Sequence, residues 1–174
     1  LYLLCGITWI VVTNSLFGWE GTKTSIQLSF SVTTLLPYNV GQLQWANLLG
    51  GFLLFLSAIC FTLLLSSLAK SNVSALALAL LFVLLPFLVY TVMPGQLGDW
   101  LQTLLPGAGI GLGNSLLYAM TNFDFLHLGS ASFWNTDVML MLALVKIPLF
   151  IMFTIVVYDR TRIRQKQKLE KCHE

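Results

Sequence analysis

Long apolar stretches separated by short polar segments dominate the pattern of this chain. Four stretches are almost wholly apolar, and they cover residues 1–17, 45–68, 73–93 and 138–158. About 20 such residues in a helix cross a bilayer, whereas a membrane β-barrel would show alternating segments of about ten residues. The pattern predicts an all-α, polytopic bundle of about four transmembrane helices. The first stretch is short, and we interpret the chain as the C-terminal portion of a longer protein.

The segment before the last stretch has a helical pattern of its own. An apolar face ends at Pro106 and is formed by Trp100, Leu101, Leu104 and Leu105. This spacing predicts a short helix lying in the membrane interface, and residues 115–120 are compatible with another turn or two. Residues 25–34 alternate only weakly, which does not establish a strand.

Composition supports a membrane protein, and the charges indicate its orientation. Apolar residues make up 57% of the chain, charged residues only 9%, and the mean hydropathy is +0.83. Lys and Arg favour the cytoplasmic side of a membrane. Lys70 and the basic tail 159–174 are therefore predicted to be cytoplasmic, and the segments 18–44 and 94–137 to face outward. The expected outer ends of the spans are marked by Trp19, Trp45, Trp100 and Trp134.

Catalytic and cofactor motifs are not found in the sequence. The glycine run 107–113 lacks the spacing of a dinucleotide fingerprint, so a re-entrant or hinge loop is the better interpretation. No Walker motif occurs, and the predicted spans contain neither an acid nor a histidine. The three cysteines share no metal-site or disulfide spacing. We therefore predict a non-enzymatic chain without a cofactor. Its basic tail suits anionic lipid, and no nucleic acid is expected as a partner.

Lys146 is the one charge well inside a predicted span. A lysine at that depth costs about 2.5–3.5 kcal/mol on insertion scales and is often functional. One interpretation is that it lines a polar path or pairs with another span. The other is that it binds carbonyl groups freed by Pro148, whose ring removes a helical hydrogen bond. The sequence leaves both alternatives open.

Small residues recur at every fourth position in the second and third stretches. They are Ala58, Thr62 and Ser66 in one, and Ala75 and Ala79 in the other. Small side chains at this spacing let helix backbones approach closely. We interpret them as a packing face between these two spans, with a dimer face as the alternative.

Several blocks of the sequence resemble bacterial ABC transporter permeases of the exporter type. One block runs from Gly51-Phe52-Leu53-Leu54 to Leu68-Ala69-Lys70-Ser71 and leads at once into the Ala-Leu repeat at 75–79. Others are the segment 35–42, which leads into Trp45, and Leu104-Leu105-Pro106 before the last span. The likeness covers nearly the whole chain.

The resemblance implies a six-span subunit of the bacterial cytoplasmic membrane, with its C-terminus in the cytoplasm. Such a subunit pairs with a second copy or a sister permease and with two cytoplasmic ATPase subunits, and this chain would supply about four of its spans. The turn between the second and third spans would then couple to the ATPase through Ser67, Lys70, Ser71 and Asn72. The alternative is a non-transporting multi-span protein, such as an immunity factor, a sensor or an assembly subunit.

Overall fold

The computed structural model describes residues 1–26, 38–69, 71–111, 115–121 and 124–173, with side chains as far as Arg160. This part of the chain is mostly helical. The helices are α1 (Tyr2–Phe17), α2 (Val40–Leu68), α3 (Asn72–Val92), α4 (Gln96–Leu104), α5 (Leu116–Thr121) and α6 (Asn135–His173). A 3₁₀ helix, Trp19–Lys23, follows α1. An antiparallel hairpin of β1 (Phe125–Leu128) and β2 (Ala131–Trp134) precedes α6, so the all-α prediction missed one small β-element.

Three of these helices are long and apolar enough to cross a membrane, and they make this a membrane protein. They are α2, α3 and the Asn135–Arg160 part of α6. Most of their side chains are exposed in the isolated chain, as expected where lipid or other subunits surround a helix. The 16 residues of α1 extend only about 24 Å, less than the roughly 30 Å of a hydrocarbon core. The described residues thus contain three helices of spanning length, and the fourth predicted span stays a prediction.

The second helix begins five residues before the predicted start of its span. The reason is local, because the Gln42 side chain accepts a hydrogen bond from the backbone N–H of Asn39 at 2.9 Å. This contact satisfies one of the donors that the first turn of a helix leaves free. Asn39 also pairs with Ser25 in an isolated β-bridge, and most of the weakly alternating segment lies outside the described residues.

Helix α2 is the centre of the packing, and it contacts α1, α3, α5 and α6. The Phe61 ring of α2 lies 5.1 Å from the Phe82 ring of α3 and 5.2 Å from the Phe150 ring of α6, measured between centroids. A buried apolar cluster fills the space toward α5 and α6. Its members are Ile26, Leu43, Leu54, Leu116, Ala119, Met120, Met139 and Ala143.

The small residues of α2 and α3 take part in this packing to different degrees. Ala58, Ala75 and Ala79 are buried, and α2 packs against α3. Thr62 is half-buried, and its hydroxyl donates to the carbonyl of Ala58 at 2.8 Å. Ser66 is exposed, so the predicted packing face ends before it.

The connection between α2 and α3 is short. Helix α2 ends at Leu68, and α3 begins at Asn72 with Ser71 as its N-cap. The Ser71 hydroxyl accepts a hydrogen bond from the Ser74 backbone N–H at 3.2 Å, which satisfies a donor of the first turn. Lys70 lies outside the described residues.

The basic tail is helical rather than a separate segment after the last span. Helix α6 continues from Asn135 to His173 and contains Pro148 in its interior. The boundary predicted at residue 158 is therefore a change of composition, from apolar to basic, within one continuous helix.

Candidate functional site where a short helix returns into the bundle

Helix α4 runs back along α3 after a sharp turn. A side chain at Gly98 would collide with the carbonyl of Met93, and a Cβ at Gly107 would lie 2.6 Å from the carbonyl oxygen of Val83. Val83 precedes Met93 by ten residues, which is roughly 15 Å of helix, about half the length of α3. The α3–α4 hairpin therefore brings residues 105–111 back to the middle of the bundle.

The two faces of α4 are reversed relative to a helix that lies on a water-soluble protein. Its exposed side chains include Leu97, Leu101 and Leu104, and its buried ones include Gln102 and Thr103. Apolar groups outside and polar groups inside suit a helix with lipid around it and protein behind it. A helix is present where the sequence predicted one, and its position relative to the membrane remains a prediction.

A buried polar network holds α4 against the first turn of α6. The Thr103 hydroxyl lies 2.7 Å from the Asp99 carbonyl oxygen and 2.9 Å from the Asn135 side-chain oxygen. The Asn135 amide donates to the Asp124 carboxylate, and its backbone N–H donates to the Asp124 carbonyl at 2.9 Å. Thr103 and Asn135 are both 0% exposed. Buried polar groups need such partners, so these residues fix the register of α4 against α6.

Lys146 closes the other end of this network. Its ammonium group donates to the carbonyl oxygens of Thr103 at 3.3 Å and Leu105 at 3.1 Å. The last carbonyls of a helix have no partner within the helix and carry its partial negative charge. Lys146 thus caps the C-terminus of α4. The carbonyl groups that it contacts belong to α4 rather than to the turn before Pro148, so they are not the partners of the second of our two interpretations.

Residues 107–111 of the glycine run follow directly and lie between the spans. Gly107 touches the α3 backbone at Val83, and a Cβ at Gly109 would meet the Leu54 side chain of α2. Gly109 also has a φ of 78°, a conformation that favours glycine. Because both positions exclude a side chain, this segment can sit close to the helices. Residues 112–114 lie outside the described residues.

The β-hairpin covers the start of α4 from the other side. Gln96 and Trp100 both donate side-chain hydrogen bonds to the His127 carbonyl oxygen, at 2.6 Å and 2.9 Å. The His127 ring contacts the Ser132 hydroxyl at 2.7 Å across the strand pair. His127 therefore has a structural role in this contact.

A second polar feature lies between α1 and α2. The side-chain amides of Asn14 and Gln44 bind each other reciprocally, at 3.0 Å and 3.3 Å. A cavity of about 710 Å³ opens beside this pair, lined mainly by apolar residues and by Asn47. This polar pair was not predicted from the sequence, although Asn14 stands out as a polar residue within an apolar stretch.

The structure separates the residues that the sequence singled out. Lys146 lies in the network at α4, whereas Ser67, Ser71 and Asn72 lie at the α2–α3 turn. The network residues that sequence analysis did not identify are Asp99, Gln102, Thr103, Asp124 and Asn135. The signal for three of them was available, because Asp99, Gln102 and Thr103 interrupt the leucines of α4 at helical spacing.

Comparisons with protein-family models, characterised proteins and solved structures gave no significant match. The resemblance to ABC transporter permeases therefore rests on the sequence blocks quoted above.

Proposed function

We propose that this chain is a membrane-spanning permease subunit of an ATP-driven exporter in a bacterial cytoplasmic membrane. It would move an unidentified solute or peptide outward. The observation that carries this proposal is the α3–α4 hairpin, which returns about halfway along α3 and brings polar groups among the spans, where its last carbonyls contact Lys146 of α6. A bundle that served only as an anchor would have no need of them, whereas broken helices and buried charges mark transport paths.

The energy for transport would come from a partner, because the sequence has no Walker motif. The short α2–α3 turn is suited to coupling with an ATPase subunit, since a tight connection transmits a rigid-body movement to both helices. Helix α2 packs against α6, and α6 holds the hairpin through Lys146 and Asn135. A push on α2 and α3 would therefore act on the hairpin, which is bound to both α3 and α6.

Lys146 has a role in this proposal beyond capping α4. An ammonium group has three donors, and two of them point to the Thr103 and Leu105 carbonyls. We assign the third to the polar path, where it would meet water or a polar solute. Rearrangement of the hairpin would release the other two donors in turn.

The proposed topology has four spans, with α1 as the first. Helix α1 packs beside α2, where Tyr2 stacks on Phe55 with ring centroids 5.5 Å apart. Lys70 and the basic end of α6 would face the cytoplasm, and α4, α5 and the β-hairpin would face outward. A second copy or a sister permease would complete the path, together with two ATPase subunits.

Affinity purification of the full-length protein from its own bacterium tests this proposal. We expect an ATPase subunit to co-purify at a fixed ratio, and we expect ATP-dependent transport to be lost when that subunit is deleted. If no ATPase co-purifies, and if activity persists in cells lacking every candidate ATPase, the proposal is wrong. That result would favour the non-transporting alternative.

Cysteine labelling tests the topology separately, in a variant without the native cysteines. A cysteine at Ser130, in the exposed β1–β2 turn, should react with an impermeant thiol reagent in intact cells. Cysteines at Asn72 and Lys168 should react only after the cells are opened. Labelling of the Asn72 site from outside would invert the topology and remove the α2–α3 turn as the coupling element.

A further inference from the structure

Two cavities adjoin each other where α1, α2 and the glycine run meet. The larger, of about 710 Å³, lies between α1 and α2. The smaller, of about 300 Å³, reaches the glycine run at Gly109. Tyr2, Asn47 and Leu117 line both cavities, so the two meet along these residues. Sites for small molecules occupy about 300–1,000 Å³, and the larger cavity lies well within this range.

The walls of these cavities are mainly apolar and carry no charge among the described residues. Trp9 and Ile10 of α1 and Leu43 and Leu48 of α2 contribute most of the apolar side chains of the larger cavity. No Asp, Glu, Lys, Arg or His is found among the described residues that line either cavity. An ion taken from water to such a wall would lack a partner, which is costly. A ligand of this site should therefore be uncharged and mainly apolar.

Asn47 supplies a polar group within the α2 wall. The residues of α2 that line the larger cavity recur at helical spacing, and they are Val40, Leu43, Gln44, Asn47 and Leu48. Because residues three and four apart share one face of a helix, the Asn47 side chain projects from this face toward the cavities. Asn47 is half-buried, and its amide makes no hydrogen bond within the described part of the chain. An amide beside apolar walls gains stability from a hydrogen-bonding partner.

The larger cavity has an apolar rim that is open to the surroundings of the bundle. Cys5 and Trp9 on the α1 side and Leu117 of α5 line the cavity and are exposed. The helices themselves stay in contact beside it, because a Cβ at Gly6 would collide with the Leu48 side chain. A ligand can therefore enter past this rim without separating α1 from α2.

We propose that the two cavities form a binding site for a neutral, mainly apolar small molecule that carries a hydrogen-bonding group, and that Asn47 recognises this group. An acyl chain of a lipid would suit the apolar walls but would leave the Asn47 amide without a partner. A molecule with a hydroxyl, carbonyl or N–H group satisfies both the walls and the amide. The inference concerns binding alone and does not rest on the proposed transport function.

Fluorescence titration with N-phenyl-1-naphthylamine tests this site, using the purified full-length protein in nanodiscs of phosphatidylcholine. The probe is uncharged and mainly apolar, carries one N–H group, and fluoresces strongly away from water. We expect a saturable signal in excess of that from empty nanodiscs at the same lipid concentration. The sulfonate of the same ring system, 1-anilinonaphthalene-8-sulfonate, should not give this signal, because the described walls hold no cation to pair with it.

Three variants assign the signal to the cavities. Asn47→Leu removes the amide at similar size and should weaken the apparent affinity by about threefold to tenfold, the usual contribution of one hydrogen bond. Cys5→Trp places an indole at the rim of the larger cavity and should abolish the signal. Val11→Trp is the matched control, since Val11 is an exposed residue of α1 that lines neither cavity. None of the three positions belongs to the buried apolar cluster, so all three variants should fold, and thermal melting checks this.

The same titrations define the results that would overturn the proposal. A signal no greater than that of empty nanodiscs, or equal signals from Cys5→Trp and Val11→Trp, would show that the probe does not bind in the cavities. Loss of the signal in Cys5→Trp with unchanged affinity in Asn47→Leu would make the site an apolar one, as suits a lipid chain, and would exclude recognition by Asn47. Equal binding of the sulfonate probe would contradict the preference for an uncharged ligand.

Discussion

The ammonium group of Lys146 lies 3.1 Å from the carbonyl oxygen of Leu105, the residue that ends α4. Lys146 is the only charge deep in a predicted span, and Leu105 closes a helix that returns into the bundle. Each group needs the other, because neither a free ammonium nor free carbonyls are tolerated away from water. This contact therefore joins the last span to the hairpin, in addition to the hydrogen bond between Thr103 and Asn135.

Loss of the Lys146 donors should destabilise the hairpin. Lys146→Met is expected to lower the free energy of unfolding by about 1–3 kcal/mol, because the Thr103 and Leu105 carbonyls lose their donor. Thermal melting in detergent measures the change. Lys146→Arg, which keeps charge and donors, should retain most of the stability. Unchanged melting of Lys146→Met would show that these hydrogen bonds contribute little.

Close contact of the glycine run with α3 makes Gly107 sensitive to substitution. In Gly107→Ala the new Cβ would lie 2.6 Å from the Val83 carbonyl oxygen and 2.7 Å from its Cα, so backbone must shift. We expect a loss of about 1–3 kcal/mol in stability, the usual cost of overpacking. Gly111→Ala is the matched control, because its Cβ would meet nothing within 4 Å. Equal melting temperatures for the two variants would contradict this packing.

The hydroxyl group of Thr103 is expected to contribute more to stability than the volume of its side chain. Thr103→Val keeps the shape of the side chain but leaves the buried Asn135 oxygen without that donor, at a cost of about 1–3 kcal/mol. A double-mutant cycle with Asn135→Ala should show a coupling of about 0.5–3 kcal/mol. Thr8→Val in exposed α1, whose hydroxyl binds only its own helix, serves as control. Strict additivity of the Thr103 and Asn135 changes would disprove the network.

Stability should depend on pH through Asp99. Its pKa is raised in the folded protein by burial and by Asp124, so ionisation is easier in the unfolded chain. The folded state is therefore most favoured while Asp99 is protonated, and it loses stability as pH rises from the ordinary value of 3.8 through the raised pKa. Melting between about pH 3.5 and 7, a range that brackets that ordinary value, measures this slope. Asp99→Asn should reduce the slope, and an identical slope in that variant would assign it to other groups.

Lengthening the α2–α3 turn should uncouple transport from ATP hydrolysis. About three glycines inserted after Lys70 cost little in stability, because loop closure depends weakly on length. They should absorb a push from the partner, so ATP hydrolysis continues while transport falls. The ratio of transport to hydrolysis in reconstituted vesicles measures this coupling. The same insertion after Gly129, in the β1–β2 turn, should leave the ratio intact, and transport that survives the first insertion would remove the turn from the mechanism.

The three helices of spanning length were predictable from sequence, because a membrane helix satisfies its backbone hydrogen bonds within one continuous segment. The predicted end of the second stretch at residue 68 agrees with α2, and the third stretch agrees with α3 to within one residue at either end. Apolar runs of this kind are local properties. The helix at 96–104 was also signalled locally, by leucines at helical spacing before a proline.

Only the tertiary structure decided which groups the buried polar side chains bind. Lys146 and Leu105 are 41 residues apart, and no local pattern tells which carbonyls an ammonium group will meet. The amphipathic pattern of α4 could not show that its polar face points inward, since the same pattern suits a helix lying on the membrane. Thr103 meets Asn135 because α4 folds back onto the first turn of α6, and these two residues are 32 positions apart in the sequence. Sequence alone determined the apolar helices of spanning length, because hydrophobicity and helical hydrogen bonding are local properties. The three-dimensional fold determined which buried polar groups meet, because these contacts join segments that are distant in the chain.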